Sequence, residues 1–301
     1  MKRRIAIAGN GAWGQALAHV ASSAGHEVKI WSRQKPNLVD LFHCDVIIVA
    51  VPAQSVRDAL TVINPPPQIP IIISAKGIEQ HSAKFMNEVV AEVVPGAKVS
   101  VLSGPSFAFD VLKGLPTAVT LAAPTMADAG EWARLLTLPN FRVYGSDDVM
   151  GVEIGGALKN VLAIACGISD GRGLGDSARA ALTTRGFAEL MRFGKKLGAK
   201  PETLTGLSGL GDLLLTCSSK QSRNYSFGLA IGQGATIAAA LASSRGVVEG
   251  AHTAQVGHEL AQRHEVDMPI VAAVAAIVHQ GSDPVQEIAR LLARPVREEI
   301  R

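Results

Sequence analysis

Short apolar runs alternate with helical patterning through the first half of the chain. "RIAIAG", "EVKIWS", "DVIIVAV", "IPIIISA", "KVSVLSG", "TAVTLAA" and "FRVYG" each read as a strand. Several are apolar at every position, as expected of strands buried on both faces of a mainly parallel sheet. Helical stretches fill most of the intervals, so the pattern predicts a doubly wound, Rossmann-like α/β domain. The run "NPPPQIP" is a rigid loop, because successive prolines cannot continue a helix. After Tyr144 the pattern changes. "GSDD" reads as a hinge followed by an N-cap, with Asp147 or Asp148 opening a helix. Beyond it alanine- and leucine-rich helical segments dominate and no strand is predicted. The expected organisation is a dinucleotide-binding sheet domain over 1–147 and an all-helical domain over 148–301, facing each other across a cleft.

Composition narrows the classes of function. With 301 residues, 48% hydrophobic and 18% charged, the chain suits a two-domain globular enzyme. A net charge of +3 gives no case for nucleic acid, though it suits an anionic small substrate. After "MKRR" the glycines arrive before a signal-peptide core can form. The longest uninterrupted apolar runs, such as "PIVAAVAAIV" at 269–278, are too short to span a bilayer. Cys44, Cys166 and Cys217 lie far apart in sequence without metal spacing, so neither a metal site nor a disulfide framework is expected. His252, His258 and His264 recur every six residues, which sends them to diverging faces of a helix rather than to a metal. Asp170 and Asp176, in glycine-rich "SDGRGLGDSARA", read as loop caps. A cytoplasmic protein without membrane insertion is expected.

Gly9, Gly11 and Gly14 spell G-x-G-x-x-G between an apolar strand and an amphipathic helix. Alone, the motif is an ordinary glycine-rich turn. Here it sits at the spacing of a βαβ unit, where the three glycines allow a tight turn, close approach of a pyrophosphate and close helix–strand packing. The helix N-terminus adds partial positive charge. The second strand runs into Ser32 and Arg33 instead of the acid that would hold a ribose 2′-hydroxyl. A guanidinium there can grip a 2′-phosphate, with Ser32 and Lys35 assisting, which favours NADPH over NADH. The alternative is a solvated loop arginine. "VIIVAVPAQ" ends a buried strand at the carboxyl edge of the sheet, where nucleotides lie, or is simply a strand end.

Four further stretches carry candidate chemistry. Lys76 follows the apolar strand of "IIISAKG" and should emerge at the cleft edge, beside the anion-binding turn of Ser103, Gly104 and Ser106 in "SGPSFAFDVLKGLPTAV". Lys159 sits in the middle of an otherwise apolar helix, with Asn160 beside it. Burial would lower its pKa and suit it to proton transfer; a snorkelling surface lysine is the alternative. Asp212, between Gly211 and three leucines, is either a helix cap or the buried partner of a cation such as Lys159. "SRN" is a helix start at which Ser222, Arg223 and Asn224 could converge on a phosphate, or an ordinary cap.

These stretches resemble those of the bacterial NAD(P)-dependent glycerol-3-phosphate dehydrogenases. The likeness runs through "SGPSFAFDVLKGLPTAV", "GGALKNVLAIACGISDG", "TRGFAEL", "GLSGLGDLLLTC", "SRN" and "GVVEG", together with the N-terminal glycine motif. The resemblance implies reversible NAD(P)H-dependent reduction of dihydroxyacetone phosphate to sn-glycerol 3-phosphate, which supplies the glycerophospholipid backbone. It implies Lys159 as the proton-transfer residue with Asp212 as its companion. Substrate contacts fall on Lys76, Gly104, Ser106, Lys159, Asp212, Ser222, Arg223 and Asn224. Cofactor contacts fall on Ala12, Trp13, Arg33, Lys76, Ala108, Arg223 and Glu249, in addition to the glycines. "WSR" is common in members that take NADPH, with NADH also used, and a homodimer is implied. The chain departs from the family in one place. Members carry a longer segment, with an N-x-x-Y-L-P-G-like stretch, where "SRQKPNLVDLFHCDVIIVAVP" crosses directly. The runner-up readings are a related two-domain hydroxyacid or ketoacid dehydrogenase and a catalytically silent NADPH-binding sensor.

Overall fold

The computed structural model describes residues 2–34, 43–244 and 246–295, so Lys35 lies outside the described residues. All seven predicted strands form: β1 (Arg4–Ala8), β2 (Glu27–Trp31), β3 (Val46–Val49), β4 (Ile71–Ile73), β5 (Val99–Ser103), β6 (Thr117–Ala122) and β7 (Phe141–Ser146). They make one sheet in the order β2-β1-β3-β4-β5-β6-β7. Every pairing is parallel except β5 with β6. The apolar runs predict their own burial. Every residue of β3 and β4 is fully buried.

Helix α1 (Ala12–Ser23) covers one face of the sheet, where Leu17 packs with Ile5 and Ile7. The opposite face packs against α2 (Val56–Ile63) and α3 (Met86–Val93). A parallel crossover is most often built with a helix. Between β2 and β3 only residues 32–45 are available. On the face opposite α1, edge strand β2 presents exposed Glu27 and Lys29 and buries only Trp31.

Past β7 the described residues hold no further strand. Asp148 caps α6 (Val149–Gly171) by accepting from the Gly151 amide at 2.9 Å, and its other oxygen accepts from the Lys200 amide at 2.8 Å. Asp147 pairs instead with Lys200 Nζ at 2.6 Å. Helix α6 is the spine of the helical half. By length and composition it could cross a membrane, which uninterrupted apolar runs alone do not reveal, but 89% of its apolar window is buried inside the protein. Around it pack α7 (Asp176–Lys196), α9 (Asp212–Ser218), α10 (Arg223–Gly232), α12 (Glu249–Arg263) and α13 (Pro269–Gln280).

One expectation is corrected here. Asp170 is not a loop cap: α6 runs through it, and its carboxylate accepts from Arg179 at 2.6 Å and from the Tyr225 hydroxyl. Asp176, at the start of α7, shares the same Arg179. Cys166 and Cys217, distant in sequence, become neighbouring buried thiols where α6 meets α9. The expected absence of a disulfide framework is unaffected.

The sheet half also reaches into the helical half. The segment from Lys76 to Phe85 leaves β4 as an arm, and Ile78 and Phe85 are buried in the helical core. At its base Glu153 of α6 accepts from the Asn87 amide at 2.9 Å, holding the start of α3.

Candidate active site

The nucleotide end of the cleft is built at the β1–α1 turn. Gly9 has φ +128°, and a Cβ there would lie 2.6 Å from the Ala50 carbonyl oxygen; a Cβ on Gly14 would lie 2.0 Å from the Gly9 oxygen. Glycine is therefore required at both positions. Beside Gly11 there is open space, and no side chain caps α1, leaving its first-turn amides available to an anion. Ala12 is the first residue of that helix. The buried Trp13 Nε1 has no protein partner. Ala108 opens α4 (Ala108–Leu112), which packs beside α1. Arg33 is exposed just past β2, with its guanidinium 3.7 Å from the Asp58 carboxylate. An open glycine cradle, uncapped amides and an orphaned indole N–H fit a bound dinucleotide.

At the centre, one carboxylate sits between two ammonium groups. Asp212, 1% exposed at the start of α9, accepts from Lys159 Nζ at 2.5 Å with Oδ1 and from Lys76 Nζ at 2.7 Å with Oδ2. Lys76 also donates to the Gly104 carbonyl at 2.9 Å, which accepts from Ser106 Oγ at 3.0 Å as well. The turn after β5 is thereby joined to the lysine after β4. Lys159 is buried and bonds Thr216 Oγ1 at 3.1 Å. Burial drives its pKa down from 10.5 to about 8, against the opposing pull of Asp212. Burial would raise Asp212, but the two lysines outweigh it and hold the carboxyl below its ordinary value.

Asn160, next to Lys159 on α6, accepts from Asn224 Nδ2 at 2.9 Å, and Asn224 Oδ1 accepts from the Gly250 amide at 2.8 Å. Ser222 caps α10 by accepting from the Tyr225 amide at 3.2 Å. Arg223 is exposed and passes beside Gly246. Glu249 reaches from α12 to the sheet half, where Oε1 accepts from the Ala53 amide at 3.0 Å; its buried Oε2 has no partner. Burial raises this carboxyl's pKa, opposed by the Ala53 amide and by Arg223.

Lys76, Gly104, Ser106, Lys159 and Asp212 therefore form one bonded cluster. Asn224 adjoins it through Asn160, whose Nδ2 donates to the Lys76 carbonyl at 3.4 Å, whereas Ser222 and Glu249 bond Tyr225 and Ala53 outside the cluster, and Arg33 stands apart at the nucleotide end. Thr216 was missed in the sequence, although its position one turn after Asp212 was a usable signal. Among the described residues no group of three His, Cys, Asp or Glu could hold a metal ion.

The C-terminal model described as NAD-dependent glycerol-3-phosphate dehydrogenase C-terminus matches residues 148–289, and the corresponding N-terminal model matches 4–44 and 34–129. The chain belongs to the NAD-dependent glycerol-3-phosphate dehydrogenase family. Within the family it is 50% identical to a glycerol-3-phosphate dehydrogenase [NAD(P)+] of Methylobacterium radiotolerans over 326 positions, covering 98% of both chains. It is 45% identical to the enzyme of that name from Parvibaculum lavamentivorans over 327 positions, covering 99% of this chain and 98% of the relative. The crystal structure of glycerol-3-phosphate dehydrogenase from Coxiella burnetii superposes with a TM-score of 0.92 at 38% identity, covering 97% of this chain and 99% of that one. The alignments with the curated relatives are longer than the 301 residues of this chain. The N-terminal family model matches in two segments that overlap at 34–44, between β2 and β3, where the sequence is shorter than the family's.

Proposed function

We propose that this chain reduces dihydroxyacetone phosphate reversibly to sn-glycerol 3-phosphate with NADPH or NADH, within a sheet domain of residues 1–147 and a helical domain of 148–301. The observation that carries the reading is the buried Lys159–Asp212–Lys76 cluster at the junction of the two halves. A bound nicotinamide supplies the hydride for the ketone carbon. Lys159, poised near pH 8, donates a proton from Nζ to the oxygen that becomes the alcohol, and in the reverse direction takes it back. Asp212 orients the ammonium, and Thr216 limits its rotation.

Lys76 and the Gly104–Ser106 turn hold the substrate's polar groups. Ser222, Arg223 and Asn224 form the phosphate end at the start of α10, where amides and a guanidinium favour an anion. Binding the remote phosphate positions the ketone for attack. Gly9, Gly11, Ala12, Trp13, Gly14, Ala108 and Glu249 surround the dinucleotide, with Arg33 facing a 2′-phosphate. The product would supply the glycerophospholipid backbone in the cytoplasm, from a homodimeric enzyme.

The deciding experiment follows oxidation of NADPH and of NADH by purified protein, with dihydroxyacetone phosphate and with unphosphorylated dihydroxyacetone. Consumption that requires the phosphate is expected. Turnover of a carboxylate-bearing ketoacid instead would overturn the substrate assignment, and cofactor binding without turnover on any of them would make the protein a sensor.

A further inference from the structure

The first turn of α2 places a carboxylate beside Arg33. Asp58 stands there, at a helix N-terminus that favours a carboxylate. Its neighbour Arg57 is committed elsewhere: it donates to both oxygens of Glu79, at 2.9 and 2.8 Å, and to Glu92 at 2.7 Å. Arg33 is the one cation within 4.0 Å of Asp58 among the described residues. The two side chains are 64% and 71% exposed, so water screens the pair and a ligand can compete for either partner.

We propose that Asp58 is a specificity-determining residue that narrows the preference for NADPH over NADH by competing with the 2′-phosphate for Arg33. The proposal rests on the reading of Arg33 as the 2′-phosphate contact. A phosphate that reaches the guanidinium must displace this carboxylate or lie next to it, and the two carry like charge. NADH, with a neutral ribose hydroxyl at that place, leaves the pair intact. Arg33 alone would make the site strongly selective for the phosphorylated cofactor; with Asp58 against it, the two cofactors come closer to parity. The carboxylate belongs to the first turn of α2, after β3, outside the loop where a specificity residue is ordinarily sought.

The test measures dissociation constants of NADPH and NADH, from the fluorescence of the reduced nicotinamide, for wild type, Asp58→Asn, Asp58→Ser and Arg33→Ala. Removing the charge of an exposed pair of this kind should tighten NADPH by roughly two- to fivefold and leave NADH unchanged. The gain should shrink as salt is raised. It should vanish when Asp58→Asn is combined with Arg33→Ala. If both Asp58 variants keep the wild-type ratio of the two constants while Arg33→Ala selectively weakens NADPH, Asp58 has no such role and the Arg33 reading stands. If Arg33→Ala leaves NADPH binding unchanged, the Arg33 reading fails and the proposal fails with it.

Discussion

Lys159 Nζ and Asp212 Oδ1 meet at 2.5 Å with both side chains almost wholly out of solvent. The carboxylate also neutralises Lys76, so its removal would leave two ammonium groups crowded in a poorly solvated site. Asp212→Asn should therefore destabilise the fold by about 3–5 kcal/mol, the usual consequence of breaking a buried ion pair from one side. Urea denaturation measures it, and an unchanged midpoint would mean that the lysines find other partners.

Lys159→Ala should lower kcat by about 10²–10⁴, the range that a positioned proton donor contributes. NADPH affinity should stay close to wild type, because the hydrogen bonds of Lys159 go to Asp212 and Thr216 and not to the glycine turn. Steady-state kinetics and cofactor titration on the same preparation separate the two effects. Near-normal turnover would remove Lys159 from the proton-transfer role.

The pH dependence follows from a lysine whose pKa is lowered to about 8. Below that value the ammonium is present to donate a proton, so ketone reduction should fall as pH rises through 8, while alcohol oxidation should rise across the same interval. Rate–pH profiles in both directions, compared under conditions where chemistry is limiting, would show the crossing. Parallel profiles would assign the titration to another group.

Arg223→Ala should raise KM for dihydroxyacetone phosphate by at least tenfold, since a charge-assisted contact to a phosphate is worth about 1.5–3 kcal/mol. The slow reduction of unphosphorylated dihydroxyacetone should be far less affected. Equal losses on both substrates would place Arg223 elsewhere in the reaction.

Glu153 gives a stability signature distinct from catalysis. Burial raises its pKa from 4.5 to about 8, with Glu88 adding to the rise and the Asn87 and Met86 amides opposing it, and Oε2 is buried without a partner. Between those values the folded state binds more protons than the unfolded state, so this group's contribution to stability falls as pH rises from 4.5 to 8. Glu153→Gln cannot titrate. Its Tm relative to wild type should climb steadily from pH 5 to pH 8.5. Glu189, raised by burial to about 7, is present in both proteins and cancels in the comparison. A pH-independent difference would show that Glu153 is not protonated in the fold.

Strand positions were legible because runs such as Ile71–Ile73 are apolar on both sides, which only a doubly covered sheet accommodates. Lys159 and Asp212 were legible for a related reason: each is a lone charge in an apolar stretch, and a buried charge needs a partner. Their mutual contact followed from that need, across a separation of 53 residues. What the pattern could not carry were contacts whose members are unremarkable locally. Glu153 has an ordinary place on a helix until α3 is docked against it, and Asp58 has one until β2 delivers Arg33. Asp170 was misread because glycines around it suggested a loop, whereas α6 continues through Gly171 on the strength of its packing.

The arm from Lys76 to Phe85 means that neither half owns a complete interior. Ile78 and Phe85 are contributed by the chain before Ser146 but fill the core after Val149. A chain divided between those points would yield an N-terminal piece that displays two large apolar side chains and a C-terminal piece with matching vacancies. The halves are thus tied by side chains that one lends to the other's core. Lys76, at the root of that arm, is the residue through which the same tie reaches Asp212 and the reacting centre.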